Sequence, residues 1–586
     1  MNLHFARLAL ALGAPLVGGP AFASDLFVPG SFATIQDAID AAVDGDRIVV
    51  APGTYSEFLD FQSKAITLES SDPADPAIVA TTIIDGGNDE SLAGFPQNPG
   101  TGLRISFAAG TAELRGLTIR NFADDFSGYP AAVEAVGNAN FVIDRCRFVD
   151  NIGNGGAAGG VFLQGTATIV DSTFEGNAAD GGYGGGLHLD GGDFTVTGCT
   201  FTGNRSFGGA GGSIALTSSG DALIANCTFA ANEGGVYVNG FADADVIDCT
   251  FTNNVANGSV GAGIRVDGAL ATIVGCSFSG NQALGGSGAA LYLDGTSQVT
   301  IDSCDLRSNV ASSGSGAGVS VLDSAVVSIV DTVFFGHSTP SGSGSALNLA
   351  NDSQTTLERT TIAGGLGSAA AIRLRDSAAL VAKNTILWNH TSTFSITGLA
   401  TTSFTYSNIQ VAQPGLGNIS LPPNFRSLAT GDLRLVATSP SIDAGDPLDL
   451  PAETDPFGDS RVLDGNLDLV LRVDQGFDEY APSRLSVTGT PTPGGSIDVN
   501  WSAAPGTFFL GYLIYGTTPT AIVLDPVGTL FIDPFLGVVL TWPAAPSNVT
   551  VNLSPSLTPG PTVYLQAVGV ALTGLTCTNL ASFTLQ

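Results

Sequence analysis

The stretch CTFTGNRSFGGAGGSIALTSSGDALIANCTFAANEGGVYVNGFADADVIDCTFTNN, Cys199 to Asn254, decides the fold. It holds three copies of one signal: cysteine, any residue, phenylalanine, then asparagine three places on. These are Cys199, Phe201, Asn204; Cys227, Phe229, Asn232; and Cys249, Phe251, Asn254. Working outward, Cys146, Phe148, Asn151 precede them, and Cys276, Phe278, Asn281 and then Cys304, Leu306, Asn309 follow. Between copies lies a glycine-rich run ending in aliphatic, any, aliphatic, as in GGVFLQ from Gly159, GGLHLD from Gly185 and GAGIRVD from Gly261. From Cys199 to Cys304 the cysteines are 28, 22, 27 and 28 residues apart, a period that belongs to a solenoid.

Each repeat holds three short strand candidates, for example Leu187 to Leu189, Phe194 to Val196 and Cys199 to Phe201. Period-two alternation sends Leu187, Phe194, Val196, Cys199 and Phe201 inward, over their equivalents one repeat away. Glycine, asparagine and aspartate supply the bends, and no run is long enough for a helix. The expected fold is therefore all-β: a right-handed parallel β-helix. Counting the inward register from Ile119 through Phe148, Phe174, Phe201, Phe229, Phe251, Phe278, Leu306, Phe334, Ile362 and Ile386 gives about eleven coils. After Asn309 the asparagine is replaced by His337 and then Gly365.

The expected organisation is a signal peptide at 1–23, an N-terminal cap and first coils at 24–110, repeats at 111–410, an acidic closing segment at 411–481 and a C-terminal β-sandwich at 482–586. Arg7, the apolar Leu8 to Val17 and the small-residue site Ala21-Phe22-Ala23 make up the leader. In the cap, Ile35, Ala38, Ile39 and Ala42 line one face of a short helix, with Thr34 as its N-cap and Asp37 at the box position. From 482 onward, short runs such as Ser496 to Trp501 and Thr562 to Val568 lie between Pro/Gly turns, loosely like a fibronectin type III core.

Net charge is −33, from 20 basic and 53 acidic residues, with Lys64 and Lys383 the only lysines. Such a field disfavours nucleic acid, anionic membranes and polyanionic glycans. The expected partner is a polysaccharide or cell-surface glycan, with no membrane insertion, and the chain is expected to be a monomer.

The cap resembles that of the pectin-lyase-like superfamily, through the TIQ-AI helix from Thr34, the turn from Val50 to Glu57, the strand Lys64 to Leu68 and the turn Thr82 to Gly87. The glycine-aliphatic and F-x-x-N pair resembles the repeats of polymorphic outer-membrane proteins. The first resemblance implies polysaccharide binding along the helix face and, in its lyases, a Lys or Arg base assisted by calcium. The paired aspartates and GHG segment of galacturonan hydrolases are missing, as is the QAV/DFIFG set of pectin methylesterases.

Candidate residues follow from the pattern. The outward position of the glycine-side strand runs Glu134, Phe162, His188, Ala215, Tyr237, Arg265, Tyr292, Ser320, Asn348, Arg373. Phe162, Tyr237, Tyr292 and Arg373 are the expected ligand contacts, on a face expected to be solvated. For catalysis, His188 with Asp190 is the best acid/base pair, and Arg265 with Asp267 and Asp294 the best cation-plus-carboxylate set. Asp464, Asn466 and Asp468, with Asp459 and Asp474 nearby, have the alternating oxygens of a calcium loop. Six in-line cysteines suit neither tetrahedral zinc nor the Cβ spacing of a disulfide, so they read as a buried thiol stack, with one or two disulfides as the alternative. The asparagines read as a structural ladder at one bend. The expected function is an exported extracellular or cell-surface β-helix protein, non-catalytic, binding glycan along its face; the alternative is a polysaccharide lyase of the pectate-lyase kind or a glycoside hydrolase.

Overall fold

The computed structural model describes residues 24–480 except 88–101, 108–109, 124–131, 138–139, 155–157, 208–210, 219, 241, 259, 368, 450, 452–453, 463–464 and 466–471, together with the backbone of strands between 483 and 584. The expected leader, 1–23, lies outside the described residues.

Three long sheets of 15, 13 and 14 strands run the length of the repeat. Each coil gives one short strand to each sheet, as Leu187–Asp190, Phe194–Thr197 and Thr200–Thr202 do. Every strand pairs in parallel with its equivalent one coil on, so that Phe201 lies opposite Phe229 and Phe229 opposite Phe251. The inward residues Leu187, Leu189, Phe194, Val196 and Phe201 are all buried, which is the alternation expected of half-buried strands. The chain is thus a parallel β-helix. Its hydrophobic core is one column, and burial of that column is what stabilises strands too short to persist alone.

Within the column the phenylalanine rings stack at 4.6 to 5.0 Å between Phe174 and Phe278, tilted by only 4° to 8° from one coil to the next. The asparagine ladder is continuous beside them. The backbone N–H and Nδ2 of Asn204 both donate to Asn232 Oδ1, at 2.9 and 3.0 Å, and Asn204 Nδ2 also donates to the Phe174 carbonyl at 2.8 Å. The left-handed residue at this bend is the one before each asparagine, such as Gly203 (φ +66°) and Asn253 (φ +54°), leaving the asparagine itself free to turn inward.

The six register cysteines are free and buried. They also do more than fill space. The backbone N–H of Cys227 donates to Cys249 Sγ at 3.4 Å, and the Cys227 thiol donates to the Ala225 carbonyl at 3.3 Å. Ser172 and Thr332 do the same in their coils, accepting from the N–H of Cys146 and Cys304 at 3.1 and 3.3 Å. The position calls for a small side chain that both accepts and donates.

At the start, the helix Ile35–Ala41 covers the column with Ile35, Ala38 and Ile39, and Thr34 Oγ1 accepts from the Asp37 N–H at 3.1 Å, as expected. Glu57 secures it by accepting from the N–H groups of Ile35 and Gln36. At the far end the register differs by one residue from the expected one. Ile362 pairs with Leu387, not Ile386, so Leu387 is the inward residue and His390, three places on, sits at the ladder position. Ile386 faces the other way and is covered by Leu435 and Ile442.

That cover comes from residues 425–480. Instead of merely closing the rod's end, this segment lies along the outer side of the late coils, packing Leu433 and Phe477 against Val333 and Ala363. The reason is chemical. Outward positions of this sheet are Thr200, Thr228 and Thr250 in early coils but Val333, Phe335, Ile386 and Trp388 in late ones. Arg461 is fully buried and bonds Asp331 at 2.6 Å; Arg359 bonds the same carboxylate at 2.9 Å and Asp449 at 3.1 Å. Beyond the antiparallel pair Phe425–Ser427 and Asp432–Leu435, the segment satisfies backbone groups with carboxylates: Asp474 accepts from the N–H groups of Asp443 and Tyr480, each at 2.7 Å.

The C-terminal strands pair antiparallel in two sheets, one of them joining Ser483–Thr488, Ser496–Ala503 and Ser547–Asn552. The side chains that would pack them as the expected sandwich lie outside the described residues.

Candidate ligand-binding face

The glycine-side sheet holds the outward residues in one unbroken ladder. Glu134, Phe162, His188, Ala215, Tyr237, Arg265, Tyr292, Ser320, Asn348 and Arg373 are successive Cα partners. The expected solvated face is not what forms, however. Tyr237 is 4% and His188 7% exposed, and Ala215, Ser320 and Asn348 are buried, while Phe162, Arg265, Tyr292 and Arg373 are half-buried. The glycine-rich runs fold back over the strand that follows them. Gly211 (φ +70°) lies so close that a Cβ there would stand 2.9 Å from the Cβ of Tyr237, one coil on, and a Cβ at Gly261 (φ +68°) would stand 2.9 Å from that of Arg265, in the strand directly after it. Glycine at these positions permits both the left-handed bend and the close approach.

An aromatic and cationic chain runs along this face. Tyr183, from the loop, stacks on Tyr237 at 5.9 Å and 17°. The guanidinium carbon of Arg265 lies 5.0 Å from the Tyr237 ring centre and 6.0 Å from that of Tyr292. Arg265 Nη2 pairs with Asp267 at 3.1 Å. The hydroxyl of Tyr292 donates to Asp294 Oδ2 at 3.2 Å. The expected trio of Arg265, Asp267 and Asp294 is therefore divided: Arg265 holds Asp267, and Tyr292 holds Asp294. Burial, then the neighbouring Asp294 carboxylate, raises the Tyr292 phenol well above its usual range. Burial also raises Asp294, against the Gly295 N–H that it accepts and with the nearby Asp323 adding to the rise.

His188 and Asp190 do not touch directly. Thr217 Oγ1 donates to Asp190 Oδ1 at 3.3 Å and so accepts from His188 Nε2–H at 2.8 Å, which fixes the ring proton on Nε2. Ser218 donates to the same carboxylate oxygen. Burial pushes His188 down to about 4, against the pull of Asp190, so the ring is neutral at neutral pH. Its Nδ1 has no hydrogen-bond partner among the described residues. Phe162 packs edge-on against this ring at 5.1 Å. Arg373, at the far end of the face, donates from Nη1 to Ser315 Oγ at 3.2 Å.

Tyr183, Thr217 and Asp323 are the residues that sequence reasoning missed. Tyr183 had a signal, a lone aromatic inside the glycine run Gly181 to Gly186; the others had none beyond ordinary turn chemistry.

Of the expected calcium ligands, Asp464, Asn466 and Asp468 lie outside the described residues. Asp474 spends its oxygens on backbone N–H groups, and Asp459 donates its own N–H to Asp455 at 2.9 Å. Among the described residues no group of three or more His, Cys, Asp or Glu side chains is placed to hold a metal ion. Among them, too, no helix is long and apolar enough to cross a membrane.

These features define a β-solenoid. The chain belongs to the family described as the right handed beta helix region, which matches residues 54–219, 131–305 and 262–419. Among solved structures it is similar to PfbA, a surface adhesin of Streptococcus pneumoniae, at 13% identity over 67% of this chain and 93% of that one, with a TM-score of 0.28. It is also similar to the PL6 family alginate lyase AlyGC, at 10% identity over 66% of this chain and 100% of that one, with a TM-score of 0.16. No curated protein sequence matches it.

Proposed function

We propose that this is an exported, extracellular or cell-surface binding protein of the pectin-lyase-like kind, taking a glycan along the glycine-side face. The observation that supports the reading is the run Tyr183, Tyr237, Arg265, Tyr292, in which the buried Tyr237 backs the exposed Tyr183 ring and the half-buried Arg265, and Tyr292 lies beyond. Two half-buried members, Arg265 and Tyr292, are open to a ligand.

The lyase alternative draws on the same residues, but His188, Tyr292 and Lys383 are poorly suited to serve as its base. A general base works best with a pKa near the working pH. His188 is held near 4 and the Tyr292 phenol is raised. Lys383 is paired with Glu358 at 3.2 Å and Asp449 at 3.4 Å, and these hold its charge against burial. The test is to incubate the full chain with a polysaccharide panel and measure both retention and new chain ends. Retention without turnover is the expected result. Turnover lost on Arg265→Ala or His188→Ala would replace binding with catalysis.

A further inference from the structure

The face carries its own account of ligand charge. Arg265 is its central cation, and that charge is already committed: Asp267 neutralises it at 3.1 Å, and the rings of Tyr237 and Tyr292 occupy positions on the guanidinium. On the next two coils stand Asp294, the ladder partner of Asp267, and Asp323, which lies near enough to raise Asp294. Arg104, at the ladder's beginning, is likewise paired, with Glu134 at 3.4 Å. An incoming carboxylate would have to displace Asp267 and then lie against Asp294.

Among the polar atoms buried on this face without a hydrogen-bond partner in the described residues are His188 Nδ1, Arg265 Nε and Asn348 Oδ1. Neutral hydroxyl groups, which both donate and accept, suit the half-buried Arg265 and Tyr292 beside them. From Phe162 to Tyr292 is five coil steps, about 24 Å at the ~4.8 Å spacing of neighbouring strands, room for several sugar rings in a row.

We infer that the face takes an uncharged polysaccharide, an unsubstituted chain of neutral pyranoses, rather than a uronate. This rests on the glycan reading above. Tyr292 then supplies a stacking surface, and the committed Arg265 acts as a hydrogen-bond donor rather than a charge.

The test is affinity electrophoresis of the full chain in gels containing linear mannan, galactan or mixed-linkage glucan (neutral), polygalacturonate or alginate (anionic) and chitosan (cationic), at low and high salt. The expected result is retardation by a neutral chain that changes less than about twofold with salt. Tyr292→Ala should weaken it about tenfold, and Tyr292→Phe, which keeps the ring, should leave it within about threefold. Val326→Ala, on another face, serves as the unaffected control. Retardation by a uronate that fades with salt and with Arg265→Ala would overturn the inference while leaving the glycan reading in place. Salt-sensitive retardation by chitosan alone would do the same. No retardation by any polysaccharide would overturn the glycan reading itself.

Discussion

The backbone N–H of Asn309 donates to Nδ1 of His337 at 3.3 Å, so a histidine occupies the rung where the next asparagine would stand. His390 holds a later rung, its Nε2 bonding the Ile362 carbonyl at 3.2 Å. Both rings are buried, and burial pushes His337 down to about 3 and His390 to about 4. With His188 also near 4, all three fold in the neutral form. Their contribution to stability is full above the unfolded value near 6.5 and is lost as pH falls toward 4 and then 3. Urea denaturation should therefore show a falling midpoint between pH 6.5 and 4. His337→Asn, which restores the amide, should remove on the order of 2 kcal/mol of that loss and change little at pH 7.5.

Cutting the ladder in its middle should cost more. Asn232 accepts from the Asn204 N–H at 2.9 Å and Nδ2 at 3.0 Å and donates to the Phe201 carbonyl at 2.9 Å, all buried. Asn232→Ala leaves those groups unmet, at about 1–3 kcal/mol each before relaxation, and we expect a net loss of about 3–5 kcal/mol. Because each coil contacts only its neighbours, the unfolding transition should broaden as well as shift.

The thiol stack makes two predictions. Burial raises the Cys146 thiol to about 12, and hydrogen bonding to the preceding thiol, with burial, does the same for Cys227 and Cys249. Disulfide-exchange reagents at pH 8 should leave these cysteines unmodified in the folded chain and label them in denaturant, as read by peptide mass. Cys249→Ser, which keeps an acceptor for the Cys227 N–H, should cost less than Cys249→Ala, by about 1 kcal/mol.

The lateral segment should come loose when its buried charges are unbalanced. Asp331 is shared by Arg359 and Arg461, and Arg461 has no exposed surface to speak of. Asp331→Asn takes from the buried Arg461 its carboxylate partner, at about 3–5 kcal/mol, while Arg359 keeps Glu358 and Asp449, each at 3.1 Å. Limited proteolysis should then cut within 425–480 well before the coils, whereas the wild-type chain should resist there.

Much of the fold was legible because the repeat encodes it twice, in the glycine-aliphatic strand and in the cysteine–phenylalanine–asparagine turn. The ladder from Glu134 to Arg373 could be written from sequence because a period of two admits one outward residue per strand at that position. The slip at Ile386 had a physical cause. Ile386 and Leu387 are both apolar, one facing the column and the other the lateral segment, so alternation alone could not choose. The covered state of Tyr237 was hidden for a related reason: glycine runs look like bends, and nothing in their composition says that they fold back over the next strand. Thr217 as the bridge between His188 and Asp190 depends on a coil partner 29 residues from His188, a relation that local spacing does not reveal.

The central claim is that ligand lies along the glycine-side face. Hydroxyl-radical footprinting of the full chain, with and without the polysaccharide that retards it most, tests this directly. The account predicts protection of Phe162, Tyr183 and Tyr292, with Phe207, Phe457 and Leu399 unchanged. Protection of Phe457 or Leu399 with Tyr183 and Tyr292 left reactive would contradict it.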